Sequence, residues 1–395
     1  MRILIAEDEA VSRRLLERRL TEWGHEVVAA VNGREALAFF REAPFSLVIT
    51  DWVMPEMDGL ELVRRIRREA EEYVYIIMLT SKAEKSDLVK GMDNGADDFI
   101  HKPFDKEELR VRLRAGERIV ELEARLKQKN EALSQASDKM FESIRAAAVI
   151  QNSLLPAQVP DLPNVRVAWR FQPCDELAGD ILNVLQLDEE NLGFYVLDVS
   201  GHGVPAALLA VTLSRILSPL EDQASLLIEK DDKTGRQRIV NPATVANNLN
   251  RRFQMDMVSG QYFTMLYAVF NLRTRELRMV NAGHPAIVYA PHQKEPRLLE
   301  MPSLPIGFIE NADYREERIT LGAGDRIFLY SDGIPETDDG QQRYFGTGRL
   351  LKALDSSRQL SIEENLDGVL RELTSWRGNA SFSDDITLLG LEVHS

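Results

Sequence analysis

Phe45-Ser46-Leu47-Val48-Ile49-Thr50-Asp51, followed by Trp52-Val53-Met54-Pro55-Glu56-Met57-Asp58-Gly59, decides the fold of the first hundred residues. A short apolar run that closes on a carboxylate and then meets Pro and Asp-Gly reads as a buried strand delivering Asp51 to a loop. Working outward, residues 2–6 and 25–30 read as strands upstream, and residues 74–79 and 97–100 as strands downstream. Residues 10–23, with Val11, Leu15, Leu16 and Leu20 on one face, read as an amphipathic helix, and residues 33–41, 58–69 and 83–94 as further helices. Five strands with intervening helices predict a parallel sheet covered on both faces, the doubly wound, flavodoxin-like α/β class.

In such a sheet, ligands collect outside the carboxyl ends of the strands near the topological switch point. The residues falling there are Glu7, Asp8 and Glu9, then Asp51, Thr80 and Lys102. Carboxylates converging at one point repel unless a hard divalent cation joins them, and Mg²⁺ takes such oxygen ligands. A Mg²⁺ beside Asp51 would neutralise an incoming phosphoryl group and orient it for attack by the carboxylate. Lys102 adds a point charge to the same group, and Thr80 a hydroxyl donor.

Residues 105–155 contain no proline, and Gly116 is their only glycine. Fifty helical residues would extend ~75 Å, too long for one compact domain. A heptad register places Ile119, Leu126, Leu133, Met140, Ala147 and Leu154 at one core position, with Leu122, Lys129, Ala136, Ser143 and Ile150 at the other. One good seam and one mixed seam predict a marginal parallel coiled coil and hence a homodimer through residues 105–155. The alternative is a single helix packed on its own domains. Pro156 and Pro160 end the helix.

Beyond Pro163 the texture changes to short strands at 165–170, 193–198, 262–271, 276–282, 286–290, 326–330 and 387–392. Helices are expected at 204–217, 244–255, 348–354 and 362–374, and a polar loop at 229–238. This alternation fits an α+β layered domain over residues 156–395. Its acidic residues recur at strand ends beside glycines: Asp180, Asp198, Asp332, and the pair Asp384 and Asp385. A lone Asp-Gly is a turn former. Four such clusters in one domain instead suggest carboxylates gathered around two divalent ions, which activate water for attack on phosphorus.

The overall composition, 44% hydrophobic and 28% charged, is that of a globular protein. A single cysteine, Cys174, excludes an internal disulfide and points to a reducing compartment. No apolar stretch is long enough for a membrane span and the first residues do not form a signal peptide, so the expected location is cytoplasmic. With a net charge of −15 and no strongly basic segment, nucleic-acid binding is not expected. His202 and His284 read as loop-orienting residues, and Cys174 as an inert thiol.

Residues 1–104 resemble the response-regulator receiver domain. The resemblance rests on Glu7-Asp8-Glu9, Asp51 before Trp-Val-Met-Pro-Glu-Met-Asp-Gly, Leu79-Thr80-Ser81 and Lys102-Pro103-Phe104. It implies phosphorylation at Asp51 by a sensor histidine kinase or phosphotransfer protein. It further implies Mg²⁺ on Glu7 or Asp8, Asp51 and the Val53 carbonyl, and signalling through Thr80 and Phe99.

Residues 150–393 resemble the metal-dependent PPM (protein phosphatase 2C) family, most of all its bacterial SpoIIE/RsbU-type serine/threonine phosphatases. Here the motifs are Asp198-Val-Ser-Gly-His-Gly-Val-Pro-Ala-Ala, Asn281-Ala-Gly-His-Pro-Ala, Leu329-Tyr-Ser-Asp-Gly-Ile-Pro-Glu and Asp384-Asp-Ile-Thr-Leu. The helix leading into the domain, with Val149-Ile-Gln-Asn-Ser-Leu-Leu-Pro156, fits the same branch. This resemblance implies paired antiparallel sheets flanked by helices, with Asp180 and Asp198 bridging two Mn²⁺ or Mg²⁺ ions. The Val199 carbonyl, Asp332 and Asp384 complete the ligands, with Asp385 as the alternative to Asp384. The implied substrate is a phosphoserine or phosphothreonine protein, in this branch often an anti-sigma-factor antagonist of the STAS class. One departure stands out: Asn183 occupies the position of a second acidic residue, which predicts reduced or conditional activity.

The whole chain is thus read as a receiver (1–104), a helical linker (105–155) and a phosphatase domain (156–395), with phosphorylation at Asp51 repacking the linker and repositioning Asp180. No kinase-like segment is read, so the phosphorylating partner is expected to be separate. The competing class is a phosphorylation-controlled binding module whose phosphatase-like domain no longer catalyses. A DNA-binding output regulator fails on charge and on the lack of a helix-turn-helix.

Overall fold

The structure, a computed structural model, describes residues 1–81, 89, 91–156, 162, 164–219, 225–230, 237–254 and 260–394. Most of the expected helix at 83–94, and both Pro160 and Pro163, lie outside the described residues. The chain divides into two compact units, Met1–Asp138 and Lys139–Ser395.

In the first unit, β1 (Arg2–Ala6), β2 (Glu26–Ala30), β3 (Leu47–Asp51), β4 (Tyr75–Thr80) and β5 (Asp98–His101) form one sheet. Its order is β2-β1-β3-β4-β5, and all pairs are parallel. The continuous apolar runs follow from burial on both faces. Ile3 and Ile5 pack with Leu16 and Leu20 on one side, and Leu4 and Ala6 with Leu62, Val63 and Ile66 on the other. Asn32 and Asp58 start their helices by accepting the backbone N–H of Glu35 and Glu61, each at 2.8 Å. The long helix Lys106–Asn152 seats Leu109 and Leu113 in the first of these cores. At Gly116 a Cβ would lie 2.4 Å from the Tyr75 ring, so glycine is what lets the helix lie against β4. Farther along, Leu122, Leu126, Leu133 and Met140 are exposed.

The second unit is a four-layer sandwich. One antiparallel sheet orders β15-β12-β11-β8-β7, from Glu317–Thr320, Glu276–Ala282, Phe263–Asn271, Asn191–Val199 and Ile181–Gln186. The other orders β14-β13-β16-β17-β6, from Arg297–Leu299, Ile287–Ala290, Arg326–Tyr330, Ile386–Val393 and Val165–Gln172. Leu182, Phe194, Val196, Leu266, Phe270, Ile327, Leu329 and Leu389 fill the space between the sheets. Helices Val204–Ile216 and Pro242–Arg252 cover the first sheet, burying Leu213, Val245 and Leu249 with Tyr195 and Leu197. Helices Gly346–Ser356 and Ile362–Arg377 cover the second, against Phe328 and Leu388.

Two local expectations change. At the two ends of the expected loop at 229–238, β9 (Ile228–Lys230) and β10 (Gln237–Ile239) pair antiparallel, and residues 231–236 lie outside the described residues. Ile228 stands opposite Ile239 and both pack on the core, which outweighs the polar run between them. β7, β14 and β15 are strands the sequence did not announce. The apolar run of β7 is interrupted by Asn183, and the other two span only 3 and 4 residues.

Leu266 is fully buried between the sheets. Leu266→Ala is expected to cost about 2–5 kcal/mol in denaturant unfolding of the second unit.

Candidate functional site

In the first unit, β1, β3 and β5 deliver Glu7, Asp51 and Lys102 to one edge. Lys102 Nζ lies 2.6 Å from both Glu7 Oε2 and Asp51 Oδ2. Burial raises the Glu7 carboxyl against the opposing pull of Lys102, and the nearby Asp51 charge adds to the rise. Burial works against the charged form of Lys102, but its hydrogen bonds to Asp51 and Glu7 prevail and raise its ammonium. Glu7, Asp8 and Asp51 each offer a ligand oxygen, all within 4.8 Å of one another, the spacing a hard cation needs. The Trp52 N–H donates to Asp51 Oδ1 at 2.7 Å, orienting that carboxylate. A Cβ at Gly59 would sit 2.1 Å from the Asp51 carbonyl, so this glycine allows the helix start to close on the acceptor. Val53 is exposed beside it, and Thr80 is fully buried at the end of β4. Phe99 is turned inward, 6.2 Å from the Trp52 ring and over Gly91, where a Cβ would collide with it.

In the second unit the four acidic clusters converge through backbone contacts. Asp385 accepts three main-chain N–H groups: Cys174 at 2.9 Å, Gly179 at 2.8 Å and Asp180 at 3.2 Å. Thr387, two residues on, donates its hydroxyl to Asp180 Oδ2 at 2.5 Å. The turn carrying Asp332 docks on the same strand, with Ser331 Oγ donating to the Asp385 carbonyl at 3.1 Å. There a Cβ at Gly333 would meet the Asp385 carbonyl at 2.1 Å. Gly179 similarly allows the Asp180 segment to approach the Val199 carbonyl, 2.9 Å from where its Cβ would be.

These contacts bring together Asp180, Asp198, Asp332 and Asp384, grading from buried Asp180 to exposed Asp384. Burial pushes Asp198 up to about 7, with Asp332, Asp384 and Asp385 adding repulsion. Burial and then Asp384 push Asp332 up to about 6. Burial, then the charges of Asp198 and Asp385, hold Asp180 well above the ordinary carboxylate range. Burial also raises Asp384. The strongest charges acting on Asp180 and Asp198 are other carboxylates. Such an uncompensated acidic set fits divalent cations better than any other ligand class. Asp385 sits at the site with both carboxylate oxygens engaged by the backbone.

Asn183 does not join the carboxylates through its hydrogen bonds. It donates to the Leu154 carbonyl at 3.2 Å and accepts the Val184 N–H at 2.8 Å. His284 is buried and pairs through Nδ1 with Thr264 Oγ1 at 2.7 Å, opposite Asp198 on the neighbouring strand. Burial takes its imidazole down to about 3, so it is neutral. Asn281 clamps the His284 backbone at both ends, each bond 2.8 Å. His202 is exposed near Asp384. Burial, reinforced by Asp385, pushes the Cys174 thiol up to about 12. Sequence reasoning missed Thr387, Ser331 and Gln151. The signal for the first lay in the Asp-Asp-Ile-Thr run, which places a hydroxyl two residues from a carboxylate on the same strand face.

The raised carboxyls fix a pH dependence for the metal-free protein. Between pH 4 and pH 7 the unfolded Asp198 ionises while the folded one keeps its proton, so stability falls as pH rises. Denaturant melts in chelator should lose on the order of 2–4 kcal/mol over that interval. Asp198→Asn should flatten the slope.

The family model for the response regulator receiver domain matches residues 3–114, and that for stage II sporulation protein E (SpoIIE) matches residues 188–394. The first segment is 46% identical over 114 residues to "Probable transcriptional regulator ycf27" of Porphyra purpurea, covering 29% of this chain and 46% of that protein. It is 41% identical over 115 residues to "Transcriptional regulatory protein TcrA" of Mycobacterium tuberculosis, covering 29% and 45%. The chain thus spans a little under half the length of these curated relatives. Among solved structures, the SiaA-PP2C domain of Pseudomonas aeruginosa superposes with a TM-score of 0.54 at 21% identity, covering 65% of this chain and 98% of that one. No helix among the described residues is long and apolar enough to cross a membrane. The chain belongs to the SpoIIE family, with a response-regulator receiver domain ahead of its PP2C-like sandwich.

Proposed function

We propose that this chain is a response regulator whose phosphorylation at Asp51 controls a metal-dependent serine/threonine protein phosphatase. The observation that carries the reading is the convergence of Asp180, Asp198, Asp332 and Asp384, all with raised carboxyls, on one edge of the sandwich. Asp180, Asp198, the Val199 carbonyl, Asp332 and Asp384 would hold two Mn²⁺ or Mg²⁺ ions, which when bound polarise water for attack on a phosphoryl group. Asp385 and Thr387 act through Asp180: the first fixes its backbone, the second its carboxylate.

At the receiver, an oxygen of Asp51 attacks the phosphorus of a phosphohistidine in a kinase or phosphotransfer protein, and the P–N bond breaks. Glu7 or Asp8, Asp51 and the Val53 carbonyl would hold Mg²⁺ there. Lys102 supplies charge to the new phosphoryl group, and Thr80 and Phe99 carry the change to the receiver surface. A homodimer through residues 105–155 is supported by the exposed Leu122, Leu126, Leu133 and Met140 of the linker helix. The substrate class is a phosphoserine or phosphothreonine on a partner protein, an anti-sigma-factor antagonist of the STAS type being the leading candidate. The chemistry and the single cysteine suit a reducing cytoplasm.

Mn²⁺-dependent release of phosphate from an aryl phosphate should be measurable for the full chain and should fall at least 100-fold in Asp198→Ala. No turnover together with no bound metal would select the non-catalytic binding module. Beryllofluoride should change both the turnover and the sedimentation of the wild type and leave Asp51→Ala unchanged; identical sedimentation of the wild type with and without it contradicts control through dimerisation.

A further inference from the structure

The segment between β14 and β15 turns its apolar residues two ways. Ile306 is fully buried in the core, whereas Leu304, Phe308 and Ile309 are 40%, 50% and 47% exposed. Single exposed apolar residues are ordinary, but three so close together on one loop make a patch. The backbone that carries them is held firmly. Ile306 and Phe263 exchange both main-chain hydrogen bonds, at 2.8 and 3.2 Å. Asn250, 1% exposed on helix Pro242–Arg252, accepts the Gly307 N–H at 2.8 Å and donates to the Ile309 and Glu310 carbonyls at 2.9 and 3.0 Å. The Tyr314 hydroxyl donates to the Pro305 carbonyl at 3.1 Å. A satisfied buried polar network of this kind rigidifies what it holds, so Phe308 and Ile309 are presented in fixed positions, which lowers the entropic cost of binding to them.

The patch borders the acidic edge. Ser200, two residues after Asp198, donates its N–H to the Tyr262 carbonyl at 3.0 Å, and its Oγ accepts the Tyr262 N–H at 3.0 Å. The Tyr262 ring in turn meets the Phe308 ring edge-on, 5.7 Å between centroids. Phe308 therefore lies on the order of 15 Å from Asp198, the span of about four or five extended residues. A chain of net charge −15 offers a phosphorylated partner no long-range attraction, so apart from metal ions the contact that holds such a partner has to be apolar. We propose that Tyr262, Phe308 and Ile309 form the docking surface for the phosphoprotein substrate and take an apolar side chain a few residues from its phosphoserine. The inference rests on the phosphatase reading and deepens it. An anchor remote from the reacting phosphorus binds ground state and transition state alike, so it acts through KM. A second copy of the chain is the competing occupant.

The test is kcat/KM of the full chain with Mn²⁺ on two sets of short phosphoserine peptides of equal charge. One set carries leucines about three to six residues from the phosphoserine, the other serines at the same places. Wild type should prefer the leucine set about tenfold or more, through KM. Phe308→Ser and Ile309→Ser should each cut that preference about threefold or more while melting cooperatively in chelator. General damage to the acidic site would slow both sets alike and leave the ratio unchanged, so the ratio reads docking alone. Equal kcat/KM for the two sets, or a preference that survives both variants, overturns the inference. So does failure of both variants to melt cooperatively, which would make these side chains structural. Slower sedimentation of the variants with an unchanged ratio overturns it in favour of a second copy on this face. A wild-type chain that releases phosphate from neither the peptides nor an aryl phosphate overturns the underlying phosphatase reading as well. Turnover of the aryl phosphate with no peptide preference overturns this inference alone.

Discussion

The carboxylate of Asp385 accepts hydrogen bonds from the backbone of Cys174, Gly179 and Asp180, and the acidic edge of the sandwich is organised around that contact. Charge-assisted hydrogen bonds to a carboxylate are about twice as strong as neutral ones, and three of them here join segments more than 200 residues apart. The contact places Asp180 beside Asp198 against their mutual repulsion, and Thr387 on the same strand takes hold of the Asp180 oxygen. Small residues complete the convergence. Gly179 and Gly333 stand where any side chain would separate the loops.

The two sites solve the problem of clustered carboxylates differently. In the receiver pocket a lysine already sits between Glu7 and Asp51, so part of the charge is offset before any cation arrives. In the sandwich burial favours the protonated carboxyls instead, pushing Asp198 up to about 7 and Asp332 up to about 6. A site of that kind exchanges protons for metal and binds cations more weakly as pH falls.

Much of this was legible in the sequence, because strand-terminal carboxylates announce themselves. Asp51 after Leu-Val-Ile-Thr and Asp332 after Leu-Tyr-Ser could be placed at sheet edges from apolar runs alone. The long helix was readable from the missing prolines and its beginning and end fell within a few residues, at Lys106 and Asn152. Pairing was not readable. Ile228 with Ile239 forms a short hairpin across a polar run, and β7 carries an asparagine where an alternating pattern would show an apolar residue. The division of labour between Asp384 and Asp385 was equally hidden. The two stand side by side just before β17, and only tertiary contacts reveal that Asp385 faces the backbone of a distant loop. The partner of Asn183 was hidden for the same reason, being a carbonyl at the end of another element.

The acidic edge of the sandwich is proposed to be a cation site kept protonated until metal arrives. Mn²⁺ binding measured calorimetrically near pH 6.5 in buffers of differing ionisation enthalpy tests it most directly. Release of about one proton or more on binding is expected, diminishing toward zero by about pH 9 as the carboxyls ionise in the free protein. Binding without proton release at pH 6.5, or no binding at either pH, would contradict it.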